Sequence, residues 1–450
     1  MTRSSDNARA LVRWSVLSYL LLPYAVLGLV WRGLRYPPYF ARWRERFGFV
    51  PSLRGQRVIW VHAVSVGEVR SAAALVRGLQ ARYPRYRILV TTMTPTGAEQ
   101  VARLFGPDVA HCYLPYDFPD AVERFFERTA PQLAVIAETE FWPNLYAACR
   151  RRGVPLVLVN VRISAAALAG YLRIPRTAHA MFAAADLVCA QSRTDAQRLR
   201  NLGVAEHRLF VTGNLKFDSP VDAAVIERAR ARSAGRDRTR LVLIAGSTHA
   251  GEETRLLDAY ARLRERWPGL LLLIAPRNPE RFAAVARLCR RRGLAIELRS
   301  RNPGPPAATT DVVVADTIGE LQAIYAMADV AFVGGSLVKH GGHNILEPCA
   351  LGVPVIFGPH MFHFEEIAAL ALESGAGRQV YDAAALTDAI AMYLGDPALR
   401  AAAGRAALRM VEHNRGALDA TLALVGRTLH PQEAASGVPT GRNVVVPRRS

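Results

Sequence analysis

RVIWVHAVSVGEVRSAAALVRGLQARYPRYRILVTT, residues 57–92, decides the fold. Arg57–Val64 is a short apolar run with no polar face, the pattern of a strand covered on both sides in a parallel sheet. Val69–Ala81 then carries apolar residues at helical spacing, and Arg87–Thr92 returns to an apolar run. Strand, helix, strand in this compass is a βαβ crossover, which places the two strands parallel.

The pattern spreads outward. Leu133–Ala137, Pro155–Asn160, Leu187–Ala190 and Leu209–Thr212 read as further strands, with helical stretches such as Thr96–Leu104 between them. Residues 213–239 interrupt it with Gly213-Asn214, Ser219-Pro220 and an Arg-rich stretch ending at Arg240, a domain boundary. Alternation resumes in Leu241–Ala245, Leu270–Ala275, Asp311–Ala315, Val330–Gly334 and Val353–Phe357. The expected fold is α/β, with two doubly wound Rossmann-like domains, 36–215 and 216–430, facing a cleft. Residues 431–450 are rich in Pro, Gly, Ser and Arg and are expected to be a disordered tail. No G-x-G-x-x-G opens either domain and no G-x-x-x-x-G-K-[ST] occurs, which disfavours a dehydrogenase and a P-loop NTPase.

Ahead of the domains, Trp14–Trp31 is uncharged and bounded by Arg13 and Arg32. As one helix it reaches ~27 Å against a hydrocarbon thickness of ~30 Å. Residues 1–35 are therefore expected to be an N-terminal membrane-anchor helix, with a soluble core helix as the alternative. Arginines are denser after the run (Arg32, Arg35, Arg42, Arg44, Arg46) than before it (Arg3, Arg9, Arg13), which puts the bulk of the chain on the cytoplasmic side. Phe40, Trp43, Phe47 and Phe49 among those arginines suit an anionic membrane surface.

The 450 residues carry a net charge of +19. An anionic membrane, a phosphorylated substrate or nucleic acid would each match it, but the basic residues are spread evenly and no nucleic-acid motif occurs, so no nucleic-acid partner is expected. Only Lys216 and Lys339 are lysines among 57 basic residues. Either they survive by chance in an Arg-biased chain, or each site needs a compact ammonium. Five scattered cysteines, with no C-x-x-C pair, fit a reducing compartment. No cofactor and no metal are expected.

Three glutamates each follow a strand and stand three residues after a Ser, Thr or Asn: Glu68, Glu320 and Glu347. That is capping-box spacing, and the plain alternative is that each serves only its own helix start. The run from Val333-Gly334-Gly335-Ser336 to Gly341-Gly342-His343, with Lys339 inside it, is a glycine-rich strand-to-helix loop whose amides suit a phosphate. Pro276-Arg277-Asn278-Pro279-Glu280 and Ala245-Gly246-Ser247-Thr248-His249 are two more strand ends in the same domain, and together they describe a nucleotide pocket. In the first domain Glu138-Thr139-Glu140 ends a strand, either as a solvated acidic turn or as a site with Glu68 and Lys216.

These segments resemble a known family. Arg44-Glu45-Arg46-Phe47-Gly48, His62-Ala63-Val64-Ser65-Val66-Gly67-Glu68, Glu138-Thr139-Glu140-Phe141-Trp142-Pro143-Asn144, Gly213-Asn214-Leu215-Lys216-Phe217-Asp218 and Gly341-Gly342-His343-Asn344-Ile345-Leu346-Glu347-Pro348 are similar to those of 3-deoxy-D-manno-octulosonic acid (Kdo) transferases. The resemblance runs from about Trp31 to His430. It implies a GT-B glycosyltransferase moving Kdo from CMP-Kdo to a phosphorylated lipid A precursor, lipid IVA, at the cytoplasmic face of the inner membrane. The first domain would bind the acceptor and the second the nucleotide sugar. By resemblance Glu68 is the catalytic base, and Glu138 and Lys216 stabilise the transition state. Pro276, Arg277, Ile318, Gly319, Glu320, Asn344, Ile345, Leu346 and Glu347 would contact the donor. The family commonly has Met at the position of Ile318 and Pro at that of Ile345, which leaves side-chain roles there open. Another GT-B nucleotide-sugar transferase and a nucleotide-sugar epimerase are the alternative readings.

Overall fold

The computed structural model describes residues 2–218, 224, 225, 227 and 240–430. The expected disordered tail, 431–450, lies outside them. The chain forms two compact units: one runs to Ser219 and resumes at Asn414, and the other is Pro220–His413.

The first unit is built on seven parallel strands: β1 (Val58–His62), β2 (Arg87–Thr92), β3 (Ala110–Tyr113), β4 (Pro131–Ala137), β5 (Leu156–Val161), β6 (Leu187–Ala190) and β7 (Leu209–Val211). Their order is β3-β2-β1-β4-β5-β6-β7. Successive side chains of a strand point to opposite faces, and in β1 both destinations are buried. Val58 and Trp60 enter one apolar cluster, Ile59 and Val61 the other. The second unit repeats the plan with β8 (Val242–Thr248), β9 (Leu271–Pro276), β10 (Ile296–Leu298), β11 (Val312–Val314), β12 (Val330–Val333), β13 (Val355–Phe357) and β14 (Gly377–Gln379). Its order is β10-β11-β9-β8-β12-β13-β14, again parallel throughout. These are the two Rossmann-like domains expected from the alternation of apolar runs.

The second domain does not extend to 430. Helix Ala417–Leu429 belongs to the first unit, because Leu422, Leu424 and Val425 complete the apolar cluster beneath the Val66–Arg82 helix. Burying that stripe is what draws the end of the chain back.

The N-terminal segment departs further from expectation. Instead of one straight helix there are two, α1 (Thr2–Leu20) and α2 (Leu22–Arg35), with Pro23 in the first turn of the second. Among the described residues no single helix is long and apolar enough to cross a membrane; Arg9–Leu20 and Leu22–Arg35 meet that test only as a pair bent by 48°. Proline lacks the amide that a continuous helix would use, which accounts for the break. One face of α1 is docked on its own unit: Trp14 Nε1 donates to Asp117 at 2.8 Å, Ser15 Oγ to Asn144 Oδ1 at 2.7 Å, and Tyr19 OH to Asp120 at 2.6 Å.

Candidate functional site

In an open parallel sheet, ligands sit beyond the C-terminal strand ends where the winding reverses. In the first unit that reversal falls between β1 and β4, which are neighbours. Glu68 follows β1 and Glu138 follows β4, so the topology sets the two carboxylates on either side of the switch point. Lys216 follows β7 at the sheet edge, yet it is carried back toward them. Asn160, in β5 with a left-handed φ of 55°, accepts the Leu215 amide at 3.0 Å, and the following turn packs on the Val66–Arg82 helix. Lys216 is close enough to lower the Glu68 pKa.

Glu68 does cap its helix: Val64 N–H donates to Oε2 at 2.7 Å and Ser65 Oγ to Oε1 at 3.1 Å. Those bonds and the helix start favour a charged carboxylate, and from them an ionised group at neutral pH is expected. Burial, and then the charge of Glu138, outweigh them and raise the pKa to about 7. Glu140 is pushed further, to about 8, first by burial and next by Glu68. Three half-buried carboxylates therefore share one electrostatic neighbourhood: Glu138 raises the pKa of both Glu68 and Glu140, and Glu68 raises that of Glu140. Glu138 sits in the left-handed region at φ 62°, a strained setting for a residue with a side chain. His62, inside the same motif, is not part of this chemistry: it is wholly buried, its Nδ1 lies 2.8 Å from Thr91 Oγ1, and burial holds its pKa near 3.

In the second unit the reversal falls between β8 and β12. His249 follows β8, the glycine-rich loop follows β12, Pro276 and Arg277 end and follow β9, and Ile318–Glu320 follow β11. The nine candidate donor residues thus fall at the end of β9 and in the segments that follow β9, β11 and β12. Ile318 and Gly319 are exposed and Arg277 is half-buried, whereas Ile345 and Leu346 turn their side chains into the core, leaving only backbone there for a ligand. Glu320 accepts from Thr317 Oγ1 at 2.7 Å, and Glu347 from Asn344 Nδ2 at 3.3 Å. Glu68 thus accepts from a backbone amide at its helix start, whereas these two bonds run to the side chains of Thr317 and Asn344.

Part of the loop is closed to any anion. The amides of Gly335, Ser336 and Leu337 donate to the carboxylate of Glu252 at 2.7, 3.1 and 2.9 Å, and the His249 amide joins them at 2.9 Å. Glu252 is fully buried and takes the place of the phosphate expected at this stretch. Gly334 permits the approach, since a Cβ there would lie 2.5 Å from the Ser247 carbonyl oxygen. Three imidazoles stand beside it: His249 Nε2 is 2.8 Å from His343 Nε2, and the His249 ring stacks on His340 at 4.1 Å. Burial, then the charges of His340, Arg277 and Arg281, lower the His249 pKa to about 4, so it is a neutral imidazole in a basic setting.

Sequence reasoning missed Glu252 and Asp117. Asp117 is buried and caps the Pro143–Arg152 helix, accepting from the amides of Asn144 at 3.0 Å and Leu145 at 2.9 Å. Local spacing offers no signal for a cap supplied from 27 residues away.

Comparison with known proteins decides which chemistry this layout serves. Residues 41–219 match the family model described as 3-Deoxy-D-manno-octulosonic-acid transferase (kdotransferase), and residues 309–410 match Glycosyl transferases group 1. A 3-deoxy-D-manno-octulosonic acid transferase of Haemophilus influenzae is 40% identical over 392 residues, covering 86% of this chain and 92% of its own. That of Bordetella pertussis is 40% identical, covering 81% and 86%. The chain belongs to the Kdo transferase family. This Kdo transferase is accordingly an enzyme, a glycosyltransferase. Among solved structures, UDP-GlcNAc 2-epimerase from Neisseria meningitidis bound to UDP-GlcNAc superposes with a TM-score of 0.53 at 12% identity, over 84% of this chain and all of that one, a likeness of fold alone. The C-terminal CMP-Kdo binding domain of WaaA from Acinetobacter baumannii is 34% identical over 42% of this chain and 98% of its own, with a TM-score of 0.39.

Proposed function

We propose that this Kdo transferase moves Kdo from CMP-Kdo to a phosphorylated lipid A precursor, lipid IVA, in lipopolysaccharide assembly. The observation that carries the reading is the carboxylate pair Glu68 and Glu138 at the first unit's switch point, with Lys216 brought to it. The acceptor hydroxyl attacks the anomeric carbon of Kdo, a C–O bond forms, and the bond from that carbon to the CMP phosphate oxygen breaks. CMP leaves with the electron pair, and Glu68 takes the hydroxyl proton. A base with a pKa of about 7 is matched to that task at neutral pH. Glu138 and Lys216 steady the developing charges, Glu138 the cationic sugar and Lys216 the anionic side.

In this reading Pro276, Arg277, Ile318, Gly319, Glu320, Asn344, Ile345, Leu346 and Glu347 hold the donor, Ile345 and Leu346 through backbone. Arg277 supplies positive charge that the leaving phosphate needs, with the neutral His249 imidazole beside it, so the step asks for no metal. The acceptor is presented by a membrane surface, the cytoplasmic face of the inner membrane. The outer faces of α1 and α2 support this, since Leu20, Tyr24, Leu27 and Leu34 are each more than 60% exposed beside Arg32 and Arg35. A bent pair of this kind lies along an interface instead of crossing it. Incubating purified protein with labelled CMP-Kdo and lipid IVA, then weighing the product, tests the assignment. A mass gain of whole Kdo units is expected, and no gain would overturn it.

A further inference from the structure

Between α1 and the Pro175–Phe182 helix lies a groove of about 360 Å³, lined by Ala10, Trp14, Leu17, Ile174 and Pro175, with Arg13, Arg176 and Thr177 at its margin. Its volume falls within the ~300–1,000 Å³ usual for small-ligand sites. The walls are almost wholly apolar, while Leu17 and Ile174 remain more than two-fifths exposed. Leaving such side chains in water is unfavourable at about 25 cal/mol per Å² of apolar surface, so an apolar occupant is favoured. No lining residue is acidic, and among the described residues neither arginine enters an ion pair. Two exposed guanidiniums in the lining of an apolar slot complement an anion attached to a hydrocarbon chain.

The groove also leads to the carboxylates. Trp14 forms one wall, its ring meets Phe141 edge to face at 5.0 Å, and Phe141 packs on Tyr171 at 5.7 Å. Phe141 follows Glu140 directly in the acidic turn. A molecule seated against Trp14 is therefore one aromatic ring away from the turn that carries Glu138 and Glu140.

We propose that this groove is an acceptor subsite that takes one acyl chain of the phosphorylated lipid, with a phosphate held between Arg13 and Arg176. The proposal rests on the lipid acceptor assigned above. Chain and phosphate together fix the sugar hydroxyl relative to the acidic turn, so the groove governs acceptor binding and leaves donor binding alone.

Steady-state kinetics with lipid IVA in detergent and CMP-Kdo tests it, using the full-length enzyme. Thr177→Trp fills the groove, and Arg176→Ala removes an exposed charge without touching the core. Both are expected to raise the KM for lipid IVA about tenfold while the KM for CMP-Kdo stays unchanged. With an acceptor stripped of phosphate, Arg176→Ala and the native enzyme should give the same KM. An unchanged lipid KM in both variants, or a parallel rise in the CMP-Kdo KM, overturns the subsite. Failure of the native enzyme to modify lipid IVA at all would instead overturn the acceptor assignment, a separate result.

Discussion

The indole N–H of Trp14 donates to the Asp117 carboxylate at 2.8 Å, and that same carboxylate caps the helix that begins just after the acidic turn. An apolar N-terminal helix is thereby tied by one buried side chain to the loop that presents Glu138 and Glu140. Asp117→Ala leaves two helix amides and an indole N–H without their acceptor, and is expected to cost about 2 kcal/mol, since bonds to charged groups contribute roughly 1.5–3 kcal/mol each before relaxation. Chemical denaturation measures it. Deleting residues 1–35 should release the protein from anionic vesicles and also lower its melting temperature, because the inner face of α1 goes with them.

Asp117 also makes stability depend on pH. Burial lifts its carboxyl from 3.8 to about 7, against the pull of the Asn144 amide, Trp14 and the Leu145 amide. A folded-state pKa above the unfolded one means that the native chain holds the proton more tightly. The contribution is full below about pH 4 and is lost as pH rises through about 7. Asp117→Asn should therefore flatten the stability profile between about pH 4 and 7, and an unchanged slope there would show that other groups dominate it.

Glu68→Gln keeps the shape of the side chain and abolishes the base. The turnover number is expected to fall by ~10²–10⁴-fold, the usual worth of general-base catalysis. CMP affinity, followed by calorimetry, should hardly change, since Glu68 lies in the first unit and the candidate donor residues in the second.

Activity should rise with pH through about 7 as Glu68 loses its proton. Glu138 raises that pKa and Lys216 lowers it, so Glu138→Gln should move the acidic limb of the kcat/KM profile down and Lys216→Gln should move it up. Glu140 titrates nearby, so the limbs belong to the carboxylate set as a whole. Profiles for the three proteins in one buffer series would show the two opposite displacements.

Glu252→Ala removes the acceptor of four backbone amides in a site with no access to water. A loss of about 3 kcal/mol or more is expected for the second unit, with Glu252→Gln intermediate, because an amide oxygen restores only part of the bonding. Hydrogen exchange at Gly335–Leu337 would report it residue by residue.

The strands were legible in the sequence wherever both faces are buried, for there the apolar run is unbroken. β3 (Ala-His-Cys-Tyr), β10 (Ile-Glu-Leu) and β14 (Gly-Arg-Gln) escaped because each is a short edge strand carrying polar residues. The candidate residues were legible because loops after parallel strands share one end of a sheet. Their energetics were not: spacing shows that Glu68 can cap a helix, but only burial and the proximity of Glu138 reveal that its proton stays to about pH 7. Likewise, four glycines suggest a phosphate cradle until Glu252, far off in sequence from the loop, is seen to occupy it. The break at Leu21 was foreshadowed by Pro23, but a run of apolar residues cannot tell lipid from the flank of its own domain.

Because helix Ala417–Leu429 closes the first core, the second unit is an insertion within the first, and the polypeptide crosses from one to the other twice. A nascent chain of 219 residues still lacks Leu422 and Val425, which arrive some two hundred residues later to cover one face of its sheet. Native assembly of the earlier sheet must wait for the last helix to be synthesised, and a premature stop near 414 damages the opposite end of the gene product from the one it truncates.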